Sequence, residues 1–153
     1  MEFFEPCVPP TTTAQQKRVN HKTGVFFKSK EAGRIIETYG DLLRPHIPDE
    51  PMRGPLKVTI EVTWPWLKRH YATKAKAAHA DTYGRLPHTS APDCDNFCKQ
   101  LIDEMARWLL IENDQCISDL RVRKFWGARP GIYVKVTQDV ESVCPPRDLA
   151  SDK

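Results

Sequence analysis

The chain has 153 residues, 40% hydrophobic and 28% charged, which is the composition of a single globular domain and not of a disordered chain. Its longest apolar runs are as short as Trp108–Ile111, so no transmembrane helix is expected, and Met1–Glu5 lacks the basic start and apolar run of a signal peptide. The net charge of +3 is the sum of unlike parts: residues 1–92 carry 14 Lys/Arg against 9 Asp/Glu, and residues 93–153 carry 9 against 11.

Along the chain, Pro6, Pro9 and Pro10 confine the first segment to a short or edge strand. Residues 24–28 read as a short strand. Lys30–Arg44 reads as a helix, with Ser29 as N-cap and Pro45 closing it, because Ala32, Ile35, Ile36, Tyr39, Leu42 and Leu43 recur at spacings of three and four. Pro48, Pro51 and Pro55 then impose a loop. Residues 56–64 alternate strictly: Leu56, Val58, Ile60, Val62 and Trp64 point one way, Lys57, Thr59, Glu61 and Thr63 the other. Between Pro65 and Ala91 no period is sustained, beyond a helical turn at Lys74–Ala80.

A second helix is expected over Pro92–Leu110, with Pro92 at its first position and Phe97, Cys98, Leu101, Ile102, Met105, Trp108 and Leu109 on one face. Residues 116–125 and 131–137 read as an antiparallel pair around Gly127–Gly131. Residues 140–153 read as a flexible tail, which leaves an α+β domain over residues 1–139.

Two regions concentrate cations. Residues 17–34 hold six Lys/Arg against one carboxylate, and residues 57–85 hold six against two. With Phe, Trp and Tyr interleaved, they suit a polyanion, since each phosphate neutralised releases counterions. Lys17, Arg18, Lys28, Lys68, Arg69, Lys74 and Lys76 are the candidate DNA-binding residues. Five cysteines, an odd number, with no signal peptide point to free thiols in a reducing compartment. A zinc site from Cys94, Cys98, Cys116 and His88 lacks the paired spacing that structural zinc favours.

The chemistry concentrates in Pro92-Asp93-Cys94-Asp95-Asn96-Phe97-Cys98-Lys99, followed by Asp103 and by Asn113-Asp114. Asp93, Asp95 and Asp114 are short, hard-oxygen donors of the kind that Mg²⁺ takes while keeping several waters. Such an ion can activate water and stabilise charge on a phosphodiester, and Lys99 could neutralise a phosphate oxygen. The competing reading is structural: Asp93 and Asp95 complement the helix dipole, and Lys99 pairs with Asp103. A DxD nucleotide-dependent transferase is a weaker alternative, because no Gly-rich phosphate loop is present.

The pattern Pro-Asp-x-Asp-Asn-x-x-Lys, a following Asp, and a further Asp 19 positions after Asp95 resembles the RusA-type Holliday junction resolvases. The resemblance implies a small mixed β-sheet with two main helices packed on it. It also implies a homodimeric, Mg²⁺- or Mn²⁺-dependent endonuclease that makes paired symmetrical nicks in four-way DNA, leaving 5′-phosphate and 3′-hydroxyl ends. Asp93, Asp95 and Asp114 would be its metal-binding carboxylates, Lys99 its essential cation, and Asn96 and Asp103 supporting residues. The setting would be the cytoplasm of a bacterium, from a host or phage gene. Four positions depart from the family: Ala91 where Lys is frequent, Asn113 for the first Asp of the later pair, and Cys94 and Cys116 for apolar or small residues. The alternative is a branched-DNA binding protein without catalysis.

Overall fold

The alternating residues 56–64 set the architecture. In the computed structural model, which describes residues 1–11, 17–19, 26–28 and 30–140, they form strand β4 (Leu56–Pro65), with all five apolar side chains buried. Three further strands are β1 (Glu2–Pro6), β6 (Ile117–Gly127) and β7 (Gly131–Gln138); β5 is Arg85–Pro87. The five form one mixed sheet in the order β1-β7-β4-β6-β5. β4 is parallel to β6 and antiparallel to β7, while β1 closes one edge on β7 and β5 the other on β6. The proline-broken first segment is thus an edge strand, as expected. Lys17–Val19 (β2) and Phe26–Lys28 (β3) form a separate antiparallel ribbon.

The expected hairpin of the last two strands does not form. β4 lies between them: Pro65 pairs with Gly127 of β6, and Thr63 with Gly131 of β7. Residues 128–130 therefore pass the end of β4 and span two strand spacings, roughly 10 Å, within reach of three extended residues. A strand apolar on one face along its whole length takes the centre, where both edges are hydrogen-bonded. Gly131 is required by close approach, because a Cβ there would sit 2.6 Å from the carbonyl oxygen of Glu5 in β1.

Two amphipathic helices cover the apolar face. In α1 (Lys30–Leu43) Ile35, Tyr39 and Leu43 are buried; the proposed cap Ser29 lies outside the described residues. In α3 (Cys94–Arg107) Phe97, Cys98, Leu101, Ile102 and Met105 are buried. This helix is shorter than Pro92–Leu110. Its N-cap is Asp93, with Pro92 before the cap instead of in the first turn. At the other end Leu109 takes a left-handed φ of 59° and is exposed, so it leaves the apolar face. The reversal returns Leu110 and Ile111 to the core, where Met52 bonds to both sides of them: its N–H to the Leu110 carbonyl (3.1 Å), its carbonyl to the Glu112 N–H (2.9 Å).

The region between Pro65 and Ala91 is more ordered than its lack of period implies. It holds a 3₁₀ turn (Lys68–Tyr71), helix α2 (Lys74–Tyr83) and β5. α2 buries only Ala80 and so shows no apolar stripe. It relies on alanine propensity and two caps: Thr73 Oγ1 accepts from the Lys76 N–H, and Gly84 takes φ 65° at the C-terminus. The domain is α+β, a five-stranded mixed sheet with three helices; residues 141–153, the expected tail, lie outside the described residues.

Phe97 joins the layers. It is fully buried, edge-on to Tyr39 of α1 (5.9 Å between centroids) and to Trp64 of β4 (5.7 Å). Phe97→Ala should lower unfolding stability by about 3–5 kcal/mol, read from the denaturant midpoint at unchanged slope.

Candidate functional site

The parallel pairing of β4 with β6 requires a crossover, and the crossover carries the acidic motif. Its segment 88–92 is strapped to β6 from three directions. The His88 N–H donates to the Lys124 carbonyl at 3.0 Å. The Lys124 ammonium donates to the carbonyls of Ser90 (2.7 Å) and Pro92 (2.5 Å). The buried His88 ring stacks on Trp126 at 4.1 Å and packs against Trp64 at 4.4 Å. Its Nδ1 accepts from the Ser90 N–H, so it is held in one tautomer. Burial, with the Lys124 charge as a second cause, pushes the His88 pKa below its ordinary 6.5.

The strap delivers Asp93 and Asp95 to the start of α3. The Asp93 side chain makes no capping hydrogen bond, both residues are exposed, and among the described residues no ion pair engages either one. Further along the helix, Lys99 and Asp103 form an i,i+4 pair at 3.6 Å, and both line a groove of about 280 Å³. Asp114, opening a 3₁₀ turn before β6, lines it too, and Cys98, Ile102, Ile117 and Leu120 supply apolar walls.

The structure thus brings Lys99, Asp103 and Asp114 to one groove and sets Asp93 and Asp95 at the N-terminal end of the same helix. Asn96 is half-buried in its first turn. The donor chemistry suits a hard divalent cation, because every candidate is an oxygen, and the buried Oδ1 of Asn113 beside Asp114 has no hydrogen-bond partner. The donors are not gathered into a cage: among the described residues, no three His, Cys, Asp or Glu side chains are grouped to hold a metal. The same holds for zinc, and Cys7, Cys94, Cys98 and Cys116 are free thiols.

The basic turn lies against the strap. His70 packs on Trp126 at 5.2 Å, and the Arg69 guanidinium sits over the same ring at 5.8 Å. Lys68, Lys74 and Lys76 are exposed, and no carboxylate pairs with them among the described residues. Lys17, Arg18 and Lys28 fall in the β2–β3 ribbon, and their side chains lie outside the described residues. Sequence reasoning misses Lys124. Its one signal is a charged residue in the sheet row otherwise held by Ile117, Leu120, Val122 and Trp126.

The family described as endodeoxyribonuclease RusA matches residues 8–137. The chain belongs to the RusA endodeoxyribonuclease family. It is also similar to Bacillus subtilis (strain 168) YqaN, itself described as an uncharacterized protein, at 30% identity over 93 residues. That match covers 61% of this chain and 64% of YqaN, so the chain spans less than two thirds of this relative's length. Within the matched residues the motif heads α3 and the later acid precedes β6. No helix among the described residues is long and apolar enough to cross a membrane.

The neutral His88 makes stability pH-dependent. The unfolded chain takes up the proton first, so the contribution is full above about pH 6.5 and is lost as pH falls from there toward the lower folded value. His70, also held low by burial and by Arg69 and Lys76, adds the same sign. The thermal midpoint should fall between about pH 7 and pH 5, and the His88→Phe protein should show a shallower fall.

Proposed function

We propose that the chain is a divalent-metal-dependent endonuclease that resolves four-way DNA junctions by paired nicks. The observation that carries this reading is family membership together with an acidic motif whose Asp93, Asp95 and Asp114 are exposed and uncommitted, next to an unpaired basic turn. In this reading Asp93 and Asp95 would hold the cation from the start of α3, and Asp114 from the 3₁₀ turn before β6. Mg²⁺ or Mn²⁺ fits the all-oxygen donor set, and when bound would stabilise charge on the phosphodiester and make water a stronger nucleophile.

Lys99 neutralises a non-bridging phosphate oxygen, and Asp103 keeps it oriented between encounters. Asn96 supports the first helical turn. Lys68, Arg69, Lys74 and Lys76, with Lys17, Arg18 and Lys28 of the ribbon, hold the duplex arms by their phosphates. A junction presents two symmetry-related phosphates, so two copies of the chain, one site each, form the working homodimer. A second reading, branched-DNA binding without cleavage, is favoured by one observation: the carboxylates are not gathered in advance.

Cleavage of a synthetic four-way junction, with and without Mg²⁺ or Mn²⁺, separates the two. The wild type should nick opposed strands only with the metal. Asp93→Asn, Asp95→Asn and Asp114→Asn should each lower the rate by at least about a hundredfold while junction binding persists. Binding with no product in either metal would establish the second reading.

Junction affinity also tests the basic turn. Replacing Lys68, Lys74 and Lys76 together by Ala should flatten the plot of log K against log salt by about 0.9 for each phosphate no longer neutralised. An unchanged slope would remove this turn from the DNA interface.

A further inference from the structure

We infer that Lys124 is a positioning residue for the acidic motif: it holds the Pro92–Asp93 turn, through the Ser90 and Pro92 carbonyls, at the place where a divalent cation is bound. The inference rests on the metal reading above and extends it to a residue outside the motif.

In the β4–β6 register Val62 pairs with Lys124 and Trp64 with Trp126, so Lys124 lies on the face of the sheet that carries the core. A lysine in that row must find partners, because a half-buried ammonium with none is costly. Its partners are two carbonyls of a single short segment, at 2.7 and 2.5 Å, and among the described residues no carboxylate. Charge-assisted bonds of this kind are stronger than neutral ones and fix direction.

The second carbonyl belongs to Pro92, immediately before Asp93. Holding it fixes the peptide plane from which Asp93 departs, and hence the entry of the chain into α3. Lys124 also bonds to the start of the strap through its own backbone, since its carbonyl accepts from His88. One residue of β6 therefore grips the segment at both ends, and the Trp126–His88 stack fills the space between.

An ion pair would serve the strap less well. A carboxylate partner would compete with the metal-binding acids for the same cation, whereas carbonyl oxygens leave Asp93 and Asp95 uncommitted. The strap also needs little of its own sequence, since the two side-chain bonds are to main chain. Lys99 and Lys124 then have separate tasks: Lys99 faces the groove and reaches substrate, and Lys124 faces inward and places a ligand.

The test is a calorimetric titration of Mn²⁺ into the full chain without DNA, followed by junction-cleavage kinetics. Lys124→Gln, one atom shorter, neutral and without the second charge-assisted bond, should weaken Mn²⁺ binding by roughly 10–100-fold, the usual effect of losing a support to a metal ligand. The fall in cleavage should lie in kcat, with KM for the junction unchanged. Lys124→Arg, which keeps a cation and two donors, should recover most of both. Amide NMR shifts in Lys124→Gln, beyond the immediate neighbours of position 124 itself, should be confined to residues 88–95.

Asp93→Asn is the control that separates the two readings. If Asp93→Asn loses Mn²⁺ binding and Lys124→Gln does not, the metal reading stands and the positioning role is overturned. If the wild type binds no Mn²⁺, both are overturned. Equal losses in Lys124→Gln and Lys124→Arg would also overturn it, as would shifts spread over the whole sheet. Should Lys124→Gln not fold, the wild type decides: the Lys124 ammonium ¹⁵N–¹H signal should be visible near neutral pH, held from exchange, and should move as Mg²⁺ is added. A signal that Mg²⁺ leaves unmoved, or none at all, overturns the inference.

Discussion

The parallel pairing of β4 with β6 is the constraint on which the rest of the molecule depends. Two antiparallel strands can be joined by a tight turn; two parallel ones need a crossover. Here residues 66–116 make that passage, and they contain the basic turn, α2, the strap, α3 and Asp114. The fold thus brings cations and carboxylates into one continuous excursion over the apolar face of the sheet. Phe97 anchors it between Tyr39 and Trp64, and the Lys124 and His88 contacts tie its later half back to β6. The acids are held by the same packing that closes the core.

The charges divide by face. On the side of the sheet away from the helices they are matched: Arg85 and Arg123 share Glu61 at 2.7 and 2.8 Å, Lys57 meets Asp119, and Lys135 meets Glu2. Along the crossover Lys99 pairs with Asp103 and Arg107 with Glu104, but among the described residues Lys68, Lys74 and Lys76 have no carboxylate and Asp93, Asp95 and Asp114 have no cation. A net charge of +3 therefore conceals a face whose charges are largely paired and a segment where key charges are not. Exposed cations of this kind suit a polyanion.

Much of this is legible in the sequence because the signals are local. Strict alternation locates β4 to within a residue, the three-and-four spacing locates the buried faces of α1 and α3, and the order of acids and lysine locates the motif. The remainder is non-local. Whether strands 117–127 and 131–138 pair with each other or flank a third depends on which strand takes the centre, and the turn between them fits either arrangement. α2 escapes a periodicity search because its support is propensity and caps, not an apolar stripe. Leu109 departs from its expected face because the helix must stop early for Leu110 and Ile111 to reach the core. Lys124 is invisible because its partners are main-chain carbonyls, which no pattern of side chains encodes.

The placement of polar groups explains how an uncommitted site is compatible with stability. Exposed ion pairs contribute little, so leaving surface carboxylates such as Asp93, Asp95 and Asp114 without partners costs little. A polar group inside is different, since an unmade hydrogen bond there costs about 1–3 kcal/mol. The groups that hold the strap are accordingly bonded: Lys124 to two carbonyls, His88 Nδ1 to a backbone N–H and the His88 N–H to β6. Asn113 Oδ1 is the counter-example at the site, buried beside Asp114 and unbonded. The molecule keeps its acidic motif on the surface, where an unpaired charge is tolerated, and ties it down through groups that are hydrogen-bonded.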